Sequence, residues 1–219
     1  MSAVVCLSGG LDSCVTLYDA KTREGDVAAL HFSYGQRTSA RELRAFGEIC
    51  DHAGITKRLV VRQPALHDIG GSALTDDRID VPTDEPGEGI PITYVPFRNG
   101  QILAVACAWA EALSFDAVFI GAVEEDSSGY PDCRAAFFEA FGRAVDAGTR
   151  PETRIRIETP VLHLDKQGIV ERGIALDAPL QLTWSCYQDD LVACGVCESC
   201  RLRRRGFARA GRVDPIPYA

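Results

Sequence analysis

The sequence has few lysines: Lys21, Lys57 and Lys166 are the only ones among 23 basic residues. Acidic residues number 31, which gives a net charge of −8. This balance argues against broad binding to nucleic acids, which depends on neutralising many phosphates with Lys and Arg. No apolar run approaches the ~20 residues of a membrane span, and the first residues are too short an apolar run for a signal peptide. We therefore expect a soluble cytoplasmic protein with no membrane partner and no direct nucleic-acid partner.

Two common phosphate-binding motifs are also missing: there is no G-x4-G-K-[ST] loop and no G-x-G-x-x-G fingerprint. Instead, an apolar run at 3–7 leads into S-G-G-L-D-S at 8–13, and a helix-like stretch follows at 14–19. A strand, a turn and a helix in this order place helix N-terminal amides beside two adjacent glycines, which suits an anion such as phosphate. The alternative is an ordinary tight turn in which Asp12 caps the helix.

The remaining chain alternates strands and helices. Apolar strands are predicted at 27–32, 58–61, 92–95 and 117–120, and helices at 39–53, 101–113, 134–147 and 166–176, with a short extended segment at 155–161. Residues 64–91 contain many Pro, Gly and acidic residues and read as a long loop. The alternation predicts an α/β fold with one core, in which helices cover both faces of a parallel sheet.

In such a sheet, ligands bind beyond the carboxyl ends of the strands, so the loops that follow the strands are candidate sites. Arg37 lies in the second of these loops and is either a phosphate or carboxylate ligand or a surface arginine. Arg98 is a further candidate site residue. It precedes Asn99 at the start of a helix, and the structural alternative is that Asn99 is simply the N-cap of this helix. The loop at 121–134 combines four carboxylates with Tyr130 and Arg134. Clustered carboxylates indicate a cation or a substrate donor among them, and a solvated loop with Asp132 as a helix cap is the alternative.

Four of the nine cysteines lie within residues 186–200: Cys186, Cys194, Cys197 and Cys200. Four thiolates form a closed tetrahedral site for structural zinc, whereas catalytic zinc needs an open position. An iron–sulfur cluster is the competing interpretation, because its ligands are also four cysteines. The arginines at 201 and 203–205 would offset the negative charge of the site, and one of them is a candidate to reach the phosphates. Cys6, Cys14, Cys50, Cys107 and Cys133 lie in apolar or helical surroundings and are expected to be buried packing residues.

Together these motifs closely resemble those of the 7-cyano-7-deazaguanine synthases, members of the ATP pyrophosphatase (PP-loop) superfamily. The resemblance covers nearly the whole chain: S-G-G-L-D-S at 8–13, Y-G-Q-R at 34–37, Arg98-Asn99, G-Y-P-D-C-R at 129–134, the Lys166 segment, S-C-Y at 185–187, C-G-x-C-x-x-C from Cys194, and D-P-x-P-Y at 214–218. Gly100 departs from the family, which more often has threonine or a similar polar residue there.

The resemblance implies a Rossmann-like domain of the adenine nucleotide alpha hydrolase type at 1–180, with a small zinc-binding module at 181–219, in a homodimer. The implied reaction is an ATP-dependent carbon–nitrogen ligation in which 7-carboxy-7-deazaguanine and ammonia give the nitrile through adenylated intermediates. ATP, Mg²⁺ and one structural Zn²⁺ per chain are the implied cofactors.

The resemblance also implies roles for individual residues. ATP would be held by Leu7, Ser8, Gly9, Gly10, Leu11, Asp12 and Ser13. The catalytic residues would be Arg98 and Lys166, which neutralise developing charge, and Asp126 and Asp132, which bind magnesium or the deazaguanine edge. Tyr130 would stack on the base, and Arg37 and Arg134 would also bind the substrate. Two alternatives remain open: a tRNA-thiolating enzyme of the same superfamily, and a nucleotide-binding regulatory module without catalysis.

Overall fold

A computed structural model of the chain describes residues 1–83, 89–124 and 129–219. Across these ranges the strands are β1 (Ser2–Cys6), β2 (Asp26–Ser33), β3 (Arg58–Arg62), β4 (Ala117–Ile120) and β5 (Arg156–Glu158). The α-helices are α1 (Leu11–Arg23), α2 (Ser39–Ala53), α3 (Ala65–Ile69), α4 (Arg98–Leu113), α5 (Ala135–Gly148), α6 (Lys166–Ala175) and α7 (Glu198–Arg209). Within the described ranges, no helix is both long enough and apolar enough to cross a bilayer.

The strands form one parallel sheet in the order β3-β2-β1-β4-β5. Side chains alternate between its faces, as they must in a strand. Val5 packs with Leu17 and Phe46 on one face, whereas Val4 packs with Leu103 on the other. The sheet is therefore covered by helices on both sides, which confirms the Rossmann-like α/β fold class. Strand order reverses between β1 and β4, so the carboxyl ends of these strands mark the expected ligand site.

Close approach of the backbone explains two glycines at this edge. Gly9 has a φ of 97°, and a Cβ there would lie 2.6 Å from the Glu42 carbonyl oxygen of α2. Gly121, directly after β4, would place a Cβ 2.9 Å from the backbone of Asp12. A larger residue at either position would push a neighbouring element away from the 8–13 loop.

The prediction of a strand at 92–95 was wrong. Tyr94 N–H donates to the Pro91 carbonyl in a turn, and Ala73 N–H donates to the Ile92 carbonyl. Val95 is buried, but against Phe32 and other residues beside the sheet rather than within it. The apolar run therefore reflects burial of a connecting segment. The expected loop at 64–91 also includes the short helix α3, and 84–88 lie outside the described residues.

The C-terminal segment packs directly on the α/β core. Trp184 and Cys186 belong to the same apolar cluster as Val5 and Phe46. The chain end returns beside the cysteine segment, where Ala193 forms a parallel bridge with Tyr218. Contacts from this segment thus reach the edge of the sheet that carries the 8–13 loop.

Candidate active site

The 8–13 loop connects β1 to α1. The Ser8 and Ser13 hydroxyls lie 3.0 Å apart, Gly10 N–H donates to Ser8 Oγ at 3.2 Å, and Ser13 Oγ donates to the Gly10 carbonyl at 3.1 Å. Gly10 is the N-cap of α1, and no side chain caps the helix. The alternative in which Asp12 is the cap is therefore wrong. The first turn of α1 keeps its amides available for an anion.

Asp12 and Lys166 form an ion pair across the site. Lys166 Nζ lies 2.8 Å from Asp12 Oδ1 and 2.6 Å from Oδ2, although 154 residues separate the two in sequence. Asp12 is in the first turn of α1, and Lys166 begins α6 after the capping residue Asp165. Only 14% of the Lys166 side chain is exposed. Lys166 is thus held beside the 8–13 loop rather than in solvent.

Arg98 brings a second cation to the same place. Its Nη1 donates to the Tyr34 hydroxyl at 3.0 Å, and its guanidinium lies 5.6 Å from the centre of the Tyr34 ring. Burial lowers the pKa of Arg98, but neighbouring groups, chiefly Tyr34, raise it by more, so the net shift is upward. Arg98 therefore stays charged at any pH at which the protein folds.

Asp132 is buried and holds the start of α4. Its Oδ2 accepts from the Asn99 N–H at 2.9 Å, and Asn99 Nδ2 donates to the Asp132 carbonyl at 3.0 Å. Burial raises the pKa of Asp132, while the Asn99 bond and the Arg98 charge oppose that shift. The structure therefore shows Asp132 fixing Asn99 and the neighbouring Arg98, a contact that sequence reasoning did not anticipate.

The other predicted substrate and metal residues lie in different settings. Arg37 donates from its guanidinium to the carbonyls of Ala73, Asp76 and Ile79, which fixes that connecting segment. Tyr130 is buried and donates to Thr93 Oγ1 at 2.7 Å. Arg134 is exposed at the start of α5. Asp126 lies outside the described residues.

Two adjoining cavities open at this edge of the sheet. The first, of about 230 Å³, is lined by most of the 8–13 loop and by Arg37, Arg98 and Lys166. The second, of about 160 Å³, is lined by Tyr130 and Cys133 and shares Arg98 and Lys166 with the first. Because these residues border both cavities, we treat the two as one groove with a loop end and a distal end.

Sequence reasoning missed several residues of this groove. Glu42 lines the first cavity and accepts from Gln36 Nε2 at 2.9 Å and Thr38 Oγ1 at 3.0 Å. Tyr187 lines both cavities, and Glu198 lines the second. Glu42 and Glu198 lie in α2 and α7, outside the loops that follow strands, so their position gave no signal. Tyr187 belongs to the S-C-Y motif of the resemblance, but no role was assigned to it.

Arg203, one of the arginines expected to offset the charge of the cysteine site or reach the phosphates, lines the groove and joins the C-terminal segment to it. It is 1% exposed and lines the first cavity. Its guanidinium donates to both carboxylate oxygens of Asp214 and to Thr183 Oγ1 at 2.6 Å. Trp184, which follows Thr183 in sequence, donates its backbone N–H to the Gly9 carbonyl at 2.9 Å. Arg203 thus fixes the segment at 183–184, which is hydrogen-bonded to the 8–13 loop.

The four predicted cysteines form a candidate metal centre. Cys186, Cys194, Cys197 and Cys200 place their sulfur atoms within 4.8 Å of one another. A tetrahedral ion with metal–sulfur bonds of about 2.3 Å requires sulfur atoms about 3.8 Å apart, and the Cys194 and Cys200 sulfurs are separated by 4.0 Å. Backbone N–H groups also donate to these sulfurs, as in Cys197 N to Cys194 Sγ at 3.3 Å. The donor set therefore fits a single metal ion.

The other five cysteines are buried, as predicted. Burial raises the pKa of each of these thiols, for example to about 12 in Cys107 and about 11 in Cys50. They are therefore neutral thiols. Cys14, Cys50 and Cys107 pack in the core, whereas Cys6 and Cys133 also border the groove.

Comparison with known proteins gives consistent matches. The family described as queuosine biosynthesis protein QueC matches residues 2–211. The 7-cyano-7-deazaguanine synthase of Nautilia profundicola is 51% identical over 216 residues, which cover 99% of this chain and 97% of that protein. The enzyme of the same name from Chlorobaculum parvum is 51% identical over 219 residues, covering 100% and 96%. NMN synthetase from Francisella tularensis has a TM-score of 0.50 at 18% identity, covering 97% of this chain and 77% of that one, which shows similarity of fold alone.

Proposed function

Since this chain belongs to the QueC family of queuosine biosynthesis proteins, we propose that it is a 7-cyano-7-deazaguanine synthase. In this reaction the carboxylate of 7-carboxy-7-deazaguanine attacks the α-phosphate of ATP and releases pyrophosphate. Ammonia then displaces AMP to give the amide. A second ATP activates the amide oxygen, and loss of that oxygen with AMP leaves the nitrile. Each nitrile therefore consumes two ATP and yields two AMP and two pyrophosphate.

The observation that carries this proposal is the convergence of Lys166 and Arg98 on the 8–13 loop in one groove. Four cations line the loop end, namely Arg37, Arg98, Lys166 and Arg203, in a chain whose net charge is −8. Such local concentration of positive charge favours a polyphosphate, and fixed cations stabilise charge that develops at phosphorus.

Each residue has a specific role in this proposal. The free amides of α1 and the Ser8 and Ser13 hydroxyls bind the phosphates that leave as pyrophosphate. Lys166 and Arg98 neutralise the developing negative charge on the nonbridging oxygens. Asp132 positions Arg98 through Asn99, and Tyr130 forms part of the wall against which the base lies. Positioning of the two reactants in one groove replaces an encounter in solution.

Cofactors, assembly and location complete the proposal. Mg²⁺ would accompany ATP and, when bound, would supply positive charge beside its phosphates. Cys186, Cys194, Cys197 and Cys200 would hold one structural Zn²⁺, and four cysteine ligands would leave no coordination position for substrate. We propose a division into an α/β domain at 1–180 and a zinc module at 181–219, a cytoplasmic location, and a homodimer that light scattering would detect.

The test is turnover by the purified protein with 7-carboxy-7-deazaguanine, ammonium, ATP and magnesium, followed by mass spectrometry. We expect a nitrile that is formed only when all four are present. Pyrophosphate without nitrile would retain the adenylating chemistry but contradict the substrate. Absence of both products would contradict the proposal.

A further inference from the structure

Glu198 is a carboxylate at the distal end of the groove that none of the roles above uses. It is the first residue of α7 and is partly buried. It lines the second cavity together with Tyr130, Cys133 and Leu202, and none of these four borders the first cavity. The second cavity therefore has a carboxylate in the part of its wall that the first cavity does not share.

Among the described residues, three other carboxylates at or beside the groove already have partners. Asp12 is paired with Lys166, and Glu42 accepts from Gln36 and Thr38 in the first cavity. Asp132 lies beneath the groove without lining either cavity and accepts from Asn99. Over the described ranges, the Glu198 carboxylate forms no hydrogen bond or ion pair with another side chain, although the charge of Arg201, one turn further along α7, acts on it. It is thus an acceptor available to a ligand.

The groove dictates how a deazaguanine carrying a carboxylate would lie in it. The reacting carboxylate must point to the loop end, where ATP, Lys166 and Arg98 meet. The ring then extends into the second cavity, which has a volume of about 160 Å³ and shares Arg98 and Lys166 with the first. The opposite edge of a guanine-type base carries two donors, the ring N1–H and the exocyclic 2-amino group. A carboxylate accepts both at once through its two oxygens.

The geometry points to Glu198 as the residue that recognises the donor edge of the deazaguanine through hydrogen bonds to N1–H and the 2-amino group. This inference rests on the proposed function and adds a determinant of substrate specificity to it. A hydrogen bond to a charged acceptor contributes enough free energy for a preference of about 10- to 150-fold. Glu198 therefore selects a 2-amino base over one that lacks this group.

The experiment compares two substrates, 7-carboxy-7-deazaguanine and the same compound without its 2-amino group. Wild type is expected to prefer the first by about 10- to 150-fold in kcat/KM for nitrile formation. Glu198→Gln is expected to reduce this ratio to within about threefold of unity, because a side-chain amide cannot accept both donors. The KM for ATP and the metal content are expected to match those of wild type.

Glu139→Gln is the matched control, because Glu139 is an exposed helical residue outside both cavities; it should keep the wild-type ratio. Glu198→Asp keeps the charge at the start of α7 and should retain part of the preference. Full retention of the ratio in Glu198→Gln would overturn the inference, as would loss of metal in both Glu198 variants, which would assign the residue to the metal module. If wild type itself forms no nitrile, the proposed function fails and this inference fails with it.

Discussion

Replacing Lys166 by methionine tests the arrangement of the site most severely. The change removes a charge whose Nζ lies 2.6 Å from Asp12 Oδ2 while keeping most of the side-chain volume. Loss of one fixed group that stabilises transition-state charge costs about 10²- to 10³-fold in kcat. We therefore expect pyrophosphate release by Lys166→Met to fall by about that factor, with mass-spectrometric detection of AMP as a parallel readout.

Stability should change much less than activity. Removing one partner of a fully buried ion pair costs about 3–5 kcal/mol, but the Lys166 and Asp12 side chains are 14% and 27% exposed. We expect a loss of about 1–2 kcal/mol in the free energy of unfolding. Asp12→Asn combined with Lys166→Met should recover stability, because no unpaired carboxylate remains, without recovering activity.

Lys57→Met is the matched control for this experiment. Lys57 pairs with Asp26 in an ion pair whose side chains are 46% and 51% exposed, away from both cavities. Activity should be unchanged in this variant. Pyrophosphate release by Lys166→Met within threefold of wild type would refute the reasoning about Lys166.

Three further predictions concern packing, metal and pH. Gly206→Ala would place a Cβ 2.7 Å from Lys166 Cβ, so we expect slower pyrophosphate release and a free energy of unfolding that is lower by about 1–3 kcal/mol. The control is Gly142→Ala, at a position with open space around it. Its free energy of unfolding, measured by chemical denaturation, should rise by up to about 1 kcal/mol. Cys200→Ser should abolish the bound metal seen in elemental analysis and lower the melting temperature, and a full metal complement would contradict the centre. Burial lowers the pKa of His31, so just below about pH 6.5 only the unfolded chain gains this proton. Stability should fall as the pH falls from about 6.5 to the lowered pKa and level off below it, and His31→Phe should flatten that slope in denaturation measured from pH 7 to 5.

The sheet and the four-cysteine metal centre could be predicted because their signals are local. Strands that are buried on both faces read as apolar runs, and the helices between them carry alternating burial. The spacing of Cys194, Cys197 and Cys200 alone brings three sulfurs together. These features depend on residues that are neighbours in sequence, so pattern reasoning reached them.

The strand at 92–95 was predicted from apolar character alone, and this prediction was wrong. This segment follows Pro91 and turns at once, since Tyr94 N–H bonds to the Pro91 carbonyl. Its buried residues cover the edge of the core near Phe32 without joining the sheet. A buried connecting segment and a buried strand can both appear in sequence as a short apolar run, so the run alone could not distinguish them.

Helix α7 was missed for the opposite reason. Its sequence is rich in arginine, and one of these arginines, Arg203, is almost completely buried. A buried arginine has no hydrophobic signal, and its partner Asp214 belongs to a different segment. The same holds for Glu198, whose place in the groove depends on how α7 docks against the core.

Gly100 illustrates how structure accounts for a departure from the family pattern. A Cβ at this position would lie 2.3 Å from the Phe97 ring, which folds over the start of α4. Phe97 itself adopts a φ of 54°. Gly100 and the Phe97 ring therefore pack as one arrangement. The sequence comparison identified Gly100 as unusual but gave no indication of its contact with Phe97.

The most direct measurement of the central claim is the fate of isotopic label in the substrate carboxylate. With both carboxylate oxygens replaced by ¹⁸O, attack on the α-phosphate transfers one labelled oxygen to AMP in each of the two activations. The account predicts two AMP per nitrile, each carrying one ¹⁸O, and unlabelled pyrophosphate. Label in inorganic phosphate or pyrophosphate, or nitrile formation with unlabelled AMP, would contradict adenylation by this site.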